Sequence, residues 1–275
     1  TVEGQMAQAA LADRLARHPR AFTAGSSHDT KRSEDARARI VAMSHAPEAA
    51  AALWHDAAGL AGSDELDPNR RFYGLQRALA IWDEPEAADR LSEHLVKAMR
   101  EEKVASYWTA PDEAAEAEVV DWARRLLADW DARRPDPLLR LVETGAALSL
   151  RELALRCLVP GMPDIYQGGE HALLQLTDPD NRRPVAWPAP EPAPGSLDAR
   201  KRSLLKALLR LRRDAPALFC EGAVAWEHGG DGTARLVRFA EGRRAEAIFT
   251  ATPPDGGALW SDWCGTDGLG LAVRA

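Results

Sequence analysis

The chain has 275 residues, of which 45% are hydrophobic and 28% charged, and a formal net charge of −7. This composition reads as a soluble globular fold of one large domain or two modest ones, and it excludes a disordered polymer. The acidic balance gives no electrostatic case for nucleic acid or an anionic membrane as partner, and no apolar run reaches membrane-spanning length.

The opening "TVEGQMAQAALADRLARHPR" has no initiator Met and shows no signal-peptide pattern; it reads as a piece of a longer protein that starts partway into a helix. Residues 5 to 17 are rich in Ala and Leu and predict a helix that His18-Pro19 ends. "AFTAGSS" then reads as a short buried strand, followed by the polar loop "HDTKR" and a helix that Ser33 can cap, with Glu34 and Asp35 favoured in its first turn by the helix dipole.

From about 47 to 150 the pattern is almost wholly helical. Phe72, Leu75, Leu79 and Trp82 recur at helical spacing, as do Leu91, Leu95 and Met99, the latter with an outward Glu93–Lys97 pair. "EAEVVDWARRLLADW" is a third amphipathic stretch, and the carboxylates of "PDEAAEAE" read as its solvated start. Another helix, about 141 to 157, runs into "CLVPGMPDIYQGGE", where Pro and Gly break it and a brief strand follows.

Beyond the polar loop "LTDPDNRRPV" lies a proline-rich surface stretch, then an amphipathic helix with Ser196 as its cap. "AVAWEH", "ARLVRFA" and "AEAIFTA", separated by Gly-Gly-Asp-Gly and Glu-Gly turns, predict an antiparallel β segment at the end. The basic clusters Arg151–Arg156 and Arg210–Arg213 read as solvated helix faces. Cys157, Cys220 and Cys264 are odd in number and lack metal spacing, so neither a disulfide framework nor a metal is expected and a reducing cytoplasm is the default.

Two strand–loop–helix units with polar residues just after each strand match the (β/α)8 barrel, whose catalytic residues sit on the loops at the strand ends. Two units leave six missing. In the first loop, His28, Asp29, Lys31 and Arg32 can stabilise positive charge or hold sugar hydroxyls; the plainer reading is a capped loop in which Asp29 pairs with Lys31 or Arg32. In the second, Asp180, Asn181, Arg182 and Arg183 supply acceptors and forked donors, against a plainer reading as turn chemistry. Trp82, Trp122 and Trp130 fall on apolar helical stripes; Trp54, Trp108 and Trp187 stand near breakers, where they could stack on sugar rings or be half-buried packing. G-x-S-x-G, H-E-x-x-H, C-x-x-C, Walker and G-x-G-x-x-G patterns do not occur.

"HDTKRSEDARARI", "ASYWTAPDEAAEAEV", "PGMPDIYQGGE" and "DPDNRRPV", in this order and with these wide spacings, closely resemble the maltooligosyltrehalose synthases, a family of the α-amylase superfamily. The resemblance covers about residues 20 to 215. It departs from the family pattern at the residue before His28, at Ser33 and at Gly169, and "PDEAAEAE" lacks an expected Tyr.

The resemblance implies an α/β fold that is mostly helical overall. Residues 1–45 would be the seventh βα unit of the barrel, 46–150 a large helical insertion, 151–215 the eighth unit with its substrate loop, and 216–275 a C-terminal antiparallel β domain. It implies a retaining transfer that turns the reducing-end α-1,4 linkage of a malto-oligosaccharide into α,α-1,1, without metal or cofactor. Asp29 would be the carboxylate that stabilises the transition state and His28 a residue on the same sugar, with Lys31, Arg32, Asp180, Asn181 and Arg183 binding substrate. The superfamily places its nucleophilic Asp and acidic Glu on earlier strands, and the G-x-R-x-D motif of the Asp does not occur here, so the missing N-terminal barrel portion is the expected partner and the chain alone is expected to be inactive. An α-glucan hydrolase and a non-catalytic carbohydrate-binding or helical interaction module are the alternatives.

Overall fold

The structure, a computed structural model, describes residues 4–185, 187, 191–229, 233–254, 256–265 and 267–275. Parts of the proline-rich stretch (186 and 188–190) and of the glycine turn (230–232) lie outside the described residues. The chain divides into two compact units, one formed by 28–145 with 173–184 and the other by 1–27, 146–172 and 185–275.

The first of these is helical: α2 (Glu34–His45), α3 (Pro47–Ala58), α4 (Pro68–Ile81), α5 (Ala87–Glu102), α6 (Glu113–Arg133) and the leading part of α7 (Asp136–Leu158). Local chemistry fixes several ends. Asp67 caps α4 by accepting from the N–H groups of Asn69 and Arg70 at 2.9 and 3.2 Å, with Pro68 in the first turn, where its missing N–H costs nothing. Asp112 caps α6 through the Ala115 N–H at 3.1 Å. The apolar stripes are buried as their spacing requires, with Leu75, Leu79, Trp82, Leu91, Leu95, Met99, Trp122 and Trp130 all in the core. Phe72 is the exception: it is 42% exposed and packs edge-on against the half-buried Trp54 at 5.6 Å. Helix α7 starts at Asp136, earlier than its periodicity suggests, because Pro137 falls in the first turn, where a proline is tolerated. Nor is the start of α6 wholly solvated: Glu116 is buried and takes two hydrogen bonds from Arg100, at 2.7 and 2.8 Å, and one from the Ser106 hydroxyl.

The second unit holds α1 (Gly4–Arg17), β1 (Phe22–Ala24), the rest of α7, β2 (Met162–Asp164), α8 (Leu197–Asp214), α9 (Pro216–Cys220) and the strands β3 (Ala223–His228), β4 (Ala234–Ala240), β5 (Arg243–Thr250), β6 (Trp260–Cys264) and β7 (Leu269–Arg274). Strands β1 and β2 pair in parallel with Phe22 opposite Met162 and Ala24 opposite Asp164. Arg14 of α1 secures this pair, donating to the Pro160 carbonyl at 2.6 Å and to Thr23 Oγ1 at 2.7 Å. Gly161 has φ of +123°, and a Cβ there would lie 2.4 Å from the Ala21 carbonyl, so only glycine allows the strands to approach this way. Ser196 caps α8 through the Ala199 N–H at 3.2 Å, as its position suggests.

The C-terminal strands form an antiparallel sheet in the order β3-β4-β5-β7-β6, two strands more than the alternation of the sequence discloses. Its inner face packs Leu236, Ala247, Phe249 and Val273 against Leu150, Leu153, Leu204 and Leu208 of α7 and α8. The basic clusters on those helices are not solvated faces throughout. Arg156 is buried, Arg151 donates to the carbonyls of Thr250 and Gly270 at 3.1 and 2.9 Å, and Arg212 donates to those of Cys157 and Gly161 at 2.7 and 2.8 Å. Arg151 thus joins α7 to β5 and β7, and Arg212 joins α8 to the end of α7, each guanidinium group satisfying main-chain carbonyls. Among the described residues no two cysteines form a disulfide, and Cys157 and Cys264 are buried. Among the described residues, no helix is long and apolar enough to cross a membrane.

Candidate active site

The loop from His28 to Ser33 belongs to the helical unit and is joined there to residues 173–176. Ser33 stands at the N-cap of α2 with extended backbone angles, yet its hydroxyl makes no cap bond. It instead donates to the Leu173 carbonyl and accepts from the Gln175 N–H at 2.8 Å, while the Ser33 N–H donates to the Gln175 carbonyl at 3.0 Å. The Asp35 carboxylate accepts from the Leu173 N–H at 2.6 Å, and Arg32 forms an isolated antiparallel bridge with Leu176. Irregular backbone pays for its burial by finding such partners, and here cross-strand bonding takes the hydroxyl that capping would have used.

The second loop, carrying a cis Asp178–Pro179 peptide and a 3-10 turn over Asp180–Arg182, is held from α5. Arg90 binds Asp180 with both nitrogens, Nε to Oδ1 at 2.7 Å and Nη2 to Oδ2 at 3.0 Å, and Nη2 also reaches the Leu174 carbonyl at 2.6 Å. The Leu176 N–H gives Asp180 a further bond at 2.8 Å. Lys97 donates to the Asp178 carbonyl at 2.8 Å and to its carboxylate at 3.1 Å. The Glu93–Lys97 pair suggested by helical spacing is therefore not where Lys97 points; its i,i+4 neighbour is Glu101, at 3.7 Å. Arg183 reaches Glu86 at 2.5 Å and Asp180 at 3.3 Å.

The two loops meet through Asn181, whose side-chain amide donates to the His28 carbonyl at 2.8 Å. The side chains then fall into two groups. Asp180 and Asn181 are 3% and 8% exposed and are occupied with loop architecture, and Arg183 is ion-paired. His28, Asp29 and Lys31 are exposed, and neither Asp29 nor Lys31 has an ion-pair partner among the described residues. The plainer expectation, that Asp29 neutralises Lys31 or Arg32, is not met. Arg32 is half-buried, turned toward Tyr73 of α4.

Sequence reasoning missed Arg90, His94 and Lys97. Their spacing of i, i+4 and i+7 is a helical stripe of polar residues beside Leu91 and Leu95, and that periodicity is the signal that could have found them. His94 is buried, with its Nε2 2.9 Å from the Tyr73 hydroxyl and its ring stacked on the Tyr73 ring. Burial first, then the neighbouring guanidinium groups of Arg77 and Arg32, push its imidazole down to about 3, so it is neutral. Burial, and then Arg77, also disfavours the charged form of Arg32. For Arg90, burial acts against the charge, but the Asp180 carboxylate outweighs it and the pKa is raised.

Trp82, Trp122 and Trp130 are core residues. Trp54 carries Arg71 over its ring at 4.6 Å, Trp108 carries Arg100 at 5.2 Å and is 56% exposed, and Trp187 is 71% exposed. Among the described residues no group of His, Cys, Asp and Glu is arranged to hold a metal ion.

No family model matches the chain. It is 37% identical over 213 residues to a "Putative maltooligosyl trehalose synthase" of Mycobacterium tuberculosis, covering 74% of this chain and 27% of that one. Its fold is similar to the crystal structure of a Sulfolobus tokodaii hypothetical maltooligosyl trehalose synthase, with TM-score 0.73, 29% identity, and 82% of this chain and 33% of that one covered. It is likewise similar to the maltooligosyltrehalose synthase of Arthrobacter ramosus, with TM-score 0.71, 32% identity, and 90% and 34% covered. The chain thus spans about a third or less of the length of the proteins it matches. By sequence and by fold it matches a C-terminal portion of the maltooligosyl trehalose synthases.

Proposed function

We propose that this chain supplies one wall of the active site of an enzyme that converts the reducing-end α-1,4 linkage of malto-oligosaccharides to α,α-1,1 by intramolecular transfer with retention. The observation that carries the reading is the Asn181–His28 bond, which joins the loop of the exposed, unpaired Asp29 to the 178–183 loop. Residues 1–45 and 151–215 are the seventh and eighth units of the barrel, 46–150 the helical insertion and 216–275 the β domain. The parallel pair β1–β2 supports this, as do Phe22 and Met162, whose 74% and 53% exposure leaves apolar surface for further strands to cover.

A retaining transfer passes through an oxocarbenium-like transition state between two carboxyl groups about 5–5.5 Å apart. Asp29 is neither of these in our reading. Its charge favours the cationic transition state over the neutral substrate, which is what lowers the barrier. His28 binds the same sugar, and Lys31 with Arg32 holds the released glucose while it turns to present its anomeric hydroxyl. Asn181 and Arg183 line the same mouth, and Asp180, with Arg90, sets the loop that carries them. Nucleophile and general acid come from the N-terminal barrel portion, and cysteines outside any disulfide suit a reducing cytoplasm.

Incubating the chain alone with maltohexaose should consume no reducing ends. Joined to the N-terminal portion of a homologous synthase, it should remove reducing power without releasing glucose. Release of free glucose instead would favour hydrolysis, and turnover by the chain alone would overturn the proposal.

A further inference from the structure

Beside the first loop, within the helical unit, α4 and α5 enclose a cleft of about 480 Å³, a volume suited to a small polar metabolite. Its floor is apolar, formed by Leu95, Ala98, Met99 and Val119. Its two ends differ in charge. At one, Lys31 and Arg32 stand with Tyr73 and His94; at the other, Arg70 and Glu102 face each other at 3.9 Å next to Glu101. His94 and Glu102 are eight residues apart on one helix, so these ends lie about 12 Å apart at 1.5 Å per residue.

The Lys31–Arg32 end has an excess of positive charge that the protein does not neutralise. Neither residue has a carboxylate partner among the described residues, and nor has Arg77, which is 4% exposed and sits 4.1 Å over the Tyr73 ring. The nearby acids are engaged elsewhere: Asp180 with Arg90, and Asp178 with Lys97 and Arg182. His94, held neutral, adds no charge. Guanidinium and ammonium groups can only donate hydrogen bonds, and a half-buried guanidinium next to a second one is costly without a counter-ion. A sugar hydroxyl, which needs both donor and acceptor, leaves that cost in place; a phosphate, which only accepts and carries charge, relieves it.

We propose that this cleft binds a phosphorylated monosaccharide, its phosphate on Lys31 and Arg32, its ring over Leu95, Ala98 and Met99, and its far hydroxyls toward Glu101 and Glu102. This goes beyond the transfer reaction, and it shares Lys31 and Arg32 with the site proposed above. An occupied cleft therefore withdraws Lys31 from the reacting glucose, which makes the ligand an inhibitor of the completed enzyme.

The test is calorimetric titration of the full chain with glucose 6-phosphate, glucose and inorganic phosphate in parallel. Glucose 6-phosphate should bind about tenfold or more tightly than either of the others, and Arg32→Gln should weaken it by about tenfold. Ala98→Phe, a half-buried position on the floor, should abolish glucose 6-phosphate binding while leaving the thermal unfolding midpoint unchanged. Glucose binding as tightly as its phosphate would overturn the proposal, as would inorganic phosphate matching it or affinity unchanged in both variants. Maltohexaose titrated in the same way reports on the transfer reading alone, so the two can fail separately.

Discussion

Asn181 donates its side-chain amide to the main-chain carbonyl of His28 across 2.8 Å, tying together two loops 153 residues apart in sequence. A neutral hydrogen bond of this kind contributes about 1 kcal/mol, and removing it exposes a carbonyl that water can reach. Asn181→Ala should therefore cost about 1 kcal/mol in global stability, yet raise amide exchange in residues 28–32 by far more than elsewhere. Deuterium uptake followed by mass spectrometry checks this; uniform uptake across the chain would show that the tether does not hold the loop.

The Arg90–Asp180 pair is almost fully buried, with side chains 6% and 3% exposed. Removing one partner of such a pair strands the other charge, at about 3–5 kcal/mol, whereas replacing both by apolar residues is often close to neutral. Arg90→Met and Asp180→Leu should each lower the denaturant midpoint strongly, and the double variant should recover most of the loss. Simple additivity in that cycle would refute a coupled pair.

His94 gives the stability a pH signature. Its folded-state pKa of about 3 lies below the ordinary 6.5, so below pH 6.5 the unfolded chain takes up a proton that the folded chain refuses. The penalty is absent above that value and grows as pH falls, by up to about 1.4 kcal/mol per unit, until His94 itself protonates near 3. His94→Gln should flatten the slope between pH 6 and 4 in urea titrations. The acids held low by their cations, Glu116 by Arg100 first and Asp178 by Lys97 first, begin to lose their contribution as pH falls past the ordinary carboxylate values of 4.5 and 3.8, from the lower end of that window downward.

Gly145 of α7 lies against α2, where an added Cβ would sit 2.8 Å from Arg39 Cα. A backbone atom cannot yield as a side-chain end can. Gly145→Ala should thus destabilise by about 1–3 kcal/mol through overpacking, despite the gain of about 1 kcal/mol that alanine brings to a helix interior. A higher unfolding temperature for the variant would contradict the close approach.

Asp29 is exposed and unpaired, so Asp29→Asn should change stability by less than about 0.5 kcal/mol. In the completed enzyme the same change should lower kcat by about 10²-fold or more, the scale set by loss of one electrostatic group at a charged transition state. Retained kcat would remove Asp29 from the mechanism.

The sequence alone determined the helices and the first C-terminal strands, because apolar spacing, caps and breakers act within a few residues of one another. Leu75, Leu79, Leu91, Leu95, Trp122 and Trp130 are buried where 3.6-residue periodicity puts them. It also disclosed which two loops carry concentrated polar chemistry. What those side chains do was decided by tertiary structure. Ser33 bonds across to residues 173 and 175 instead of capping α2, Asp180 is consumed by Arg90, and Lys97 turns to Asp178 and away from Glu93. Each of these partners is remote in sequence, and a charged or hydroxyl group drawn out of water bonds to whatever complementary group the packing sets within about 3 Å.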